Sequence, residues 1–180
     1  IERKNHEKIN FSEFKSIIFT SSNSINFLDT KLIDKKIVCF CVGSATEQAV
    51  RKKGFQNVIS ADGNVGNLKE LILQNFDSFE GKLLYLSGEI IASNLDEQLI
   101  LEGYSVKRII NYIAKPIEKM NETFIGKLKQ KMPNIVFIYS QNSAISFLNL
   151  IKNHQLVGLW MDTNLMCIGE KTSSVLNEIK

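Results

Sequence analysis

A six-residue pattern that occurs twice constrains the fold of this chain more than any other feature of the sequence. CVGSAT at residues 41–46 is echoed by CIGEKT at residues 167–172, and each copy ends an apolar run and begins a helical pattern. A second pair of similar segments, 17–24 and 136–143, precedes the first pair in the same order. Two matches in one order indicate that the chain contains two copies of one α/β unit.

Apolar runs and helical patterns alternate through the first copy. Predicted strands cover residues 16–20, 36–42, 57–61, 82–87 and 104–112. Predicted helices cover about 44–53, 68–75 and 89–102, after a short apolar helix face at 25–28. This alternation predicts an α/β fold in which helices flank a parallel sheet on both faces.

The second copy has the same pattern but fewer elements. Strands are predicted at 135–139 and 165–168, helices at 121–132, 142–152 and 170–179, and segment 156–162 is ambiguous. We therefore expect two similar lobes with parallel sheets, the second of them incomplete in this chain. The first residue, Ile1, is not methionine, so we also expect that residues upstream are missing.

One of the two prolines, Pro116, interrupts the pattern and suggests a domain boundary. The expected organisation is a first α/β domain at 10–112, linker strands at 1–9 and 113–116, and a partial second domain at 117–180. That second domain would lack its usual N- and C-terminal elements.

Composition narrows the possible functions. A net charge of +3 without a clustered basic face argues against nucleic-acid binding. No apolar run reaches the roughly 18 residues that would span a membrane. The three cysteines form no disulfide framework, which favours buried reduced thiols and a cytoplasmic location. Metal-binding, P-loop, dinucleotide and serine-elbow motifs are all missing, so we expect no metal and no cofactor.

The echoed segments all lie where a strand's carboxyl end passes into a helix. Parallel sheets bind ligands at that edge, and helix N-termini there present free N–H groups. Five such corners occur, at 21–24, 43–46, 62–66, 140–143 and 169–172. If the two edges face each other, they form a cleft that suits a carboxylate-bearing polyanion. The alternative is that these serines, threonines and asparagines are only helix caps.

A set of segments in this order resembles the uroporphyrinogen-III synthase family. The segments are 17–21, 42–46, 62–64 with Leu68, 83–88, 99–106 with Gly103, 112–116, 137–140 and 168–172. The resemblance implies two α/β domains joined by a two-strand linker, with the active site in the cleft between them. It also implies conversion of hydroxymethylbilane, a linear tetrapyrrole with many carboxylates, to cyclic uroporphyrinogen III. Water is lost and ring D is inverted in that reaction, without a metal or an organic cofactor.

Site residues follow from the same resemblance. Tyr112 is the candidate catalytic residue, because a phenol can donate a hydrogen bond to the departing hydroxyl. A structural tyrosine at the linker is an equally open interpretation. The expected substrate-binding residues are Thr20, Ser21, Gly43, Thr46, Gly63, Asn64, Ser87, Gly88, Ser140, Gly169, Lys171 and Thr172.

One position departs from the family pattern. The family often carries a basic residue after the Ser-Gly pair, whereas this chain has Glu89, so Arg108, Lys115 or Lys171 would have to compensate. The expected protein is a cytoplasmic monomer whose partner is its small-molecule substrate, with no nucleic acid and no membrane. Two alternatives remain: a non-catalytic two-lobed module that binds an anionic small molecule, and a degenerate inactive homologue.

Overall fold

Two separate sheets organise residues 1–6 and 8–179, the part of the chain that this computed structural model describes. A six-stranded sheet lies in the unit Ile1–Lys115, and a two-stranded sheet lies in the unit Pro116–Lys180. Glu7 and Lys180, which belong to the predicted linker and second domain, are outside the described residues.

The first unit alternates strands and helices as its apolar pattern predicts. Its strands are β1 (Glu2–Arg3), β2 (Phe14–Phe19), β3 (Val38–Val42), β4 (Val58–Ala61), β5 (Lys82–Gly88) and β6 (Val106–Ile113). Its helices are α1 (Ser22–Asn26), α2 (Ser44–Lys52), α3 (Val65–Asn75) and α4 (Leu95–Leu101), and a 3-10 helix covers Phe11–Glu13. The predicted α/β class with a mainly parallel sheet is confirmed.

The chain adds strands to this sheet first on one side of β2 and then on the other. The order is β1-β6-β5-β2-β3-β4, and every pair is parallel except β1 with β6. The chain moves from β2 outward to β3 and β4, and then returns to the other side of β2 for β5 and β6. The carboxyl ends of β2 and β5 therefore meet at a topological switch point, where open α/β sheets bind ligands.

Alternating side chains bury both faces of the sheet. Ile17 and Phe19 of β2 pack in one cluster with residues of α1 and α2, whereas Ile18 packs in another with residues of α3 and α4. Because successive strand residues point to opposite faces, a continuous apolar run is what a strand covered by helices on both sides requires. These two packed clusters hold the strands in register, and the register fixes the positions of the residues at the carboxyl ends of the strands.

The second unit has its own core around a short parallel sheet. Strands β7 (Ile135–Ile138) and β8 (Asn164–Cys167) pair, with helices α5 (Glu122–Gln130), α6 (Gln141–Asn153) and α7 (Glu170–Ser173). Two 3-10 helices cover Val157–Trp160 and Ser174–Leu176. Its core includes Leu148, Ile151 and Trp160, while Phe137 and Met166 are 60% and 53% exposed.

Three segments show the largest departures from the sequence expectation. Helix α4 begins at Leu95 rather than directly after Glu89, because residues 89–94 form an irregular, bent segment after β5. The ambiguous segment 156–162 contains the 3-10 helix at Val157–Trp160. The final predicted helix, 170–179, is α-helical only to Ser173 and then tightens into a 3-10 turn.

Candidate functional site

A cavity of about 140 Å³ opens beside the switch point of the first unit. It is lined by Thr20, Ser21, Val65, Tyr85, Ile90, Ile91, Ala92, Ser93 and Tyr112. Thr20 and Ser21 follow directly after β2, and Tyr85 is the central residue of β5. The structure thus brings three of the sequence-predicted site residues, Thr20, Ser21 and Tyr112, to one cavity.

A bulge in β6 sets the position of Tyr112. Ser87 pairs with Ile110, but the next residue of β5, Gly88, pairs with Tyr112, so β6 carries Asn111 as one extra residue. The Asn111 side chain donates to the carbonyl of Ser24 at 2.7 Å, and Lys4 N–H donates to the Asn111 carbonyl at 3.0 Å. Bulges re-aim side chains in this way beside functional sites.

Backbone contacts hold Tyr112 between two strands. Arg3 of β1 is its antiparallel partner, and Glu89 N–H donates to the Tyr112 carbonyl at 3.1 Å. The Lys4 ammonium also forms a 2.7 Å ion pair with the Glu89 carboxylate, which ties the N-terminal segment to the turn after β5. Tyr112 is therefore anchored at the sheet while its ring remains half-buried at the cavity.

Gly88 provides the space that the Tyr112 ring occupies. A Cβ atom built on Gly88 would lie 2.7 Å from Cζ and 2.9 Å from the hydroxyl oxygen of Tyr112. Atoms at that separation overlap, so any larger residue at 88 would displace the ring. Gly88 was predicted as a substrate-binding residue, and the geometry gives it a direct contact with the candidate catalytic side chain.

Thr20 and Tyr85 form a hydroxyl pair in the cavity wall. Thr20 Oγ1 lies 3.2 Å from the Tyr85 phenol oxygen, and the Tyr85 side chain is only 1% exposed. Burial is the main cause that raises the pKa of Tyr85, while the hydrogen bond with Thr20 acts in the opposite direction. The Tyr85 phenol is therefore protonated at neutral pH.

Arg108 organises the segment that links β5 to the cavity. Its Nε donates to Ser87 Oγ at 2.8 Å, and its Nη2 donates to the carbonyls of Gly88 and Glu89 at 3.1 and 3.3 Å. Ser87 is buried and its hydroxyl donates to the Gly88 carbonyl at 3.0 Å. The predicted binding residue Ser87 thus contacts Arg108 and does not line the cavity wall.

The remaining predicted residues of this unit lie at neighbouring corners. Gly43 is the N-cap residue of α2 with φ of 77°, and its N–H donates to the Ala61 carbonyl at 2.9 Å. Thr46 is buried in α2. Gly63 has φ of 104°, and Asn64 caps α3 by accepting from Gly66 and Asn67 N–H groups. None of these four lines the cavity.

Helix capping explains the serines at two of the predicted corners. Ser21 accepts from Asn23 N–H at 3.2 Å at the start of α1, and Ser140 accepts from Ser143 N–H at 3.1 Å at the start of α6. In the second unit Gly169 is the N-cap residue of α7, Lys171 is exposed in the first turn of that helix, and Thr172 is buried. The corners that contain Ser140 and Gly169 lie at the carboxyl ends of β7 and β8, as the repeat predicts.

Tyr85 lines the cavity but is not among the site residues predicted from the sequence. It stands in Leu83-Leu84-Tyr85-Leu86, where all its neighbours are aliphatic. A lone phenol inside a buried strand was an available signal, because a buried hydroxyl needs a hydrogen-bond partner. The pairing with Thr20 spans 65 residues and is visible only once strand register is known.

The cavity chemistry consists of hydrogen-bond donors and apolar walls. The described residues that line it supply two phenols and the hydroxyls of Thr20, Ser21 and Ser93, and include no acid, histidine or cysteine. Among the described residues, no group of three His, Cys, Asp or Glu side chains could hold a metal ion. Such a site can bind an acceptor-rich molecule and assist a departing hydroxyl through a neutral donor.

A second and larger cavity, about 710 Å³, lies elsewhere in the first unit. It is lined by Arg3, His6, Lys8, Ile9, Asn10, Phe11, Ser12, Leu28, Asp29 and Leu32. No predicted site residue lies there, and most of its polar walls are exposed side chains. The smaller cavity is the better candidate because it adjoins the switch point and contains buried, hydrogen-bonded hydroxyls.

Within residues 1–6 and 8–179, the helices are too short or too polar to cross a bilayer.

Comparisons with known proteins match the chain to one family along nearly its full length. The family model described as uroporphyrinogen-III synthase HemD matches residues 2–180. No curated protein sequence matches the chain.

Two solved structures share the fold. Uroporphyrinogen-III synthetase from Helicobacter pylori 26695 superposes with a TM-score of 0.68 and 22% identity, over 98% of this chain and 78% of that one. A mutant uroporphyrinogen III synthase from the extremely thermophilic bacterium Thermus thermophilus superposes with a TM-score of 0.51 and 15% identity, over 93% of this chain and 69% of that one. At these identities the structures support the fold.

Proposed function

Because the chain belongs to the uroporphyrinogen-III synthase family, an enzyme family of tetrapyrrole biosynthesis, we propose that it closes hydroxymethylbilane to uroporphyrinogen III. This reaction includes inversion of ring D. Because it breaks a carbon–oxygen bond with loss of water, the proposed enzyme is a carbon–oxygen lyase. The observation that carries it at the level of the site is the cavity at the switch point, where Tyr112 lies against Gly88.

Loss of water is the step in which a phenol donor helps most. The carbon–oxygen bond of the hydroxymethyl group breaks as electrons from the pyrrole nitrogen form an azafulvene. The hydroxyl leaves as water after gaining a proton, and the pyrrole N–H loses one, so the proton count balances. We assign to Tyr112 the hydrogen bond to this departing oxygen, since a positioned donor stabilises charge that develops on a leaving group.

The hydroxyl groups around Tyr112 are proposed to bind the substrate. Thr20 and Ser21 line the cavity, and their hydroxyls suit carboxylate or carbonyl oxygens. Arg108 adds a positive charge close to the cavity in a region where the family's basic residue is replaced by Glu89. Positive charge and hydroxyl donors together favour a polyanionic guest.

The other predicted residues are proposed as weaker contributors to binding. Their support is that Gly43 and Thr46 occupy a strand-to-helix corner that Gly169, Lys171 and Thr172 repeat in the second unit, that Gly63, Asn64 and Ser140 lie at other such corners, and that Ser87 lies near the end of β5. They are Gly43, Thr46, Gly63, Asn64, Ser87, Ser140, Gly169, Lys171 and Thr172. We also propose that the enzyme works as a monomer in the cytoplasm; sedimentation of the purified protein would test the monomeric state.

The experiment that tests the function is a product analysis. Purified protein is mixed with hydroxymethylbilane, and the oxidised products are separated into isomers I and III. Formation of isomer III above the protein-free control supports the synthase. A protein that binds the substrate tightly and yields only isomer I, the spontaneous product, would instead be a non-catalytic binding module.

A further inference from the structure

We infer that Tyr85 is a positioning residue that directs the hydroxyl hydrogen of Thr20 toward the substrate. The inference rests on the proposed function and adds a residue to its site. Tyr85 itself stays buried in the wall, 1% exposed, so it acts through Thr20 and not by direct contact.

The geometry leaves Tyr85 and Thr20 as each other's hydrogen-bond partners. Their oxygens are 3.2 Å apart, and both residues line the 140 Å³ cavity. The rest of the Tyr85 ring packs in the apolar cluster that contains Ile18, Leu83 and Leu99. The ring therefore has a fixed position. It holds the phenol oxygen of Tyr85, in the middle of β5, 3.2 Å from Oγ1 of Thr20, the first residue after β2.

Acidity decides which oxygen donates. A phenol is a far stronger acid than an aliphatic alcohol, so the favoured arrangement has Tyr85 O–H donating and Thr20 Oγ1 accepting. Thr20 has one O–H and can both accept and donate. Its hydrogen is then turned away from Tyr85 and available to an acceptor in the cavity. A hydroxyl that already accepts a hydrogen bond is also polarised and donates more strongly.

A second buried tyrosine shows what a purely structural phenol does here. Tyr104 belongs to the same apolar cluster, and its hydroxyl donates to the Phe76 backbone carbonyl at 2.7 Å. That bond satisfies both groups away from the cavity. Tyr85 differs because its partner is a side chain with a remaining donor in the cavity wall. The acceptor for that donor would be a substrate carboxylate oxygen.

A double-mutant cycle tests the inference. The variants are Tyr85→Phe, Thr20→Val and the double variant, with Thr20→Ser as the conservative rescue and Tyr104→Phe as the control. Tyr85→Phe should raise the KM for hydroxymethylbilane roughly 5- to 10-fold, the range for one lost hydrogen bond. Tyr104→Phe should lower Tm without changing KM, and Thr20→Ser should keep most of the wild-type KM.

Coupling between the two residues is the deciding result. If Tyr85 acts through Thr20, Tyr85→Phe should add little to the effect of Thr20→Val in the double variant. Independent effects that multiply, or a Tyr85→Phe variant with wild-type KM, would overturn the inference while leaving the synthase function intact. Wild-type protein that makes only isomer I would overturn both. Titration of the same variants with uroporphyrinogen III gives dissociation constants, and these provide the same double-mutant cycle without turnover.

Discussion

The Tyr112 ring lies so close to the Cα of Gly88 that a Cβ at residue 88 would be 2.7 Å from Tyr112 Cζ. Those two residues pair across β5 and β6, one residue after the bulge at Asn111. The close approach links the backbone of one strand to the position of the candidate catalytic phenol on the next. An alanine at residue 88 should therefore displace the Tyr112 ring.

Gly88→Ala should impair catalysis more than folding. The methyl group would meet the outer end of the Tyr112 ring, and the ring can move away at low cost to the fold. We expect formation of isomer III to slow at least several-fold, with a small change in Tm. Enzyme assays and thermal unfolding of the same preparation measure both quantities.

Gly126→Ala is the matched control for that substitution. Gly126 lies in α5, and a Cβ there would meet nothing within 4 Å. Alanine also favours helix over glycine by up to about 1 kcal/mol. We expect wild-type activity and equal or higher stability. A Gly88→Ala variant as active as this control would remove the steric link to Tyr112.

Ser140→Ala should destabilise the second unit. The Ser140 side chain accepts from Ser143 N–H at the start of α6, and losing such a cap costs about 1 kcal/mol of unfolding free energy. Denaturant unfolding followed by the fluorescence of Trp160, which lies in that unit's core, measures the change. Substrate KM measured on the folded variant separates capping from binding: an unchanged KM would withdraw Ser140 as a binding residue.

Cys167 should be the first thiol to react with iodoacetamide in the native protein. Cys39 and Cys41 share one face of β3 and are fully buried, and burial raises the pKa of Cys41 to about 12 and that of Cys39 further. Cys167 is partly exposed on β8. Peptide mass mapping after brief alkylation identifies the modified residue. Rapid labelling of Cys39 or Cys41 without unfolding would contradict the buried core.

Alkaline pH should reveal the buried Tyr85 phenol. Burial raises the pKa of Tyr85 above its unfolded value near 10, so the folded state holds this proton more tightly. Its contribution to stability is fully present below about pH 10 and is lost as the pH rises through the folded pKa. The unfolding free energy of Tyr85→Phe should therefore fall less steeply above pH 10 than that of the wild type. Identical slopes would mean that Tyr85 ionises as freely in the folded protein as in the unfolded chain.

Local sequence patterns were sufficient for the fold but only partly for the site. The strands and helices follow from apolar runs bounded by glycine and capping residues, such as Gly43 before α2. Which residues meet in the cavity depends instead on how neighbouring strands pair. The bulge at Asn111 and the pairing of Thr20 with Tyr85 join residues from different strands, and no local pattern encodes them. The roles of Tyr112 and the binding residues stay predictions, because they concern a substrate.

The ratio of isomer III to isomer I, measured over time for wild-type protein and Tyr112→Phe, shows whether the protein is a synthase and whether Tyr112 takes part in the reaction. We expect excess isomer III from the wild type and at least several-fold slower formation of it by Tyr112→Phe, with similar Tm values. Equal rates for the two proteins would remove Tyr112 from the mechanism. Only isomer I from folded wild-type protein would contradict the synthase function itself.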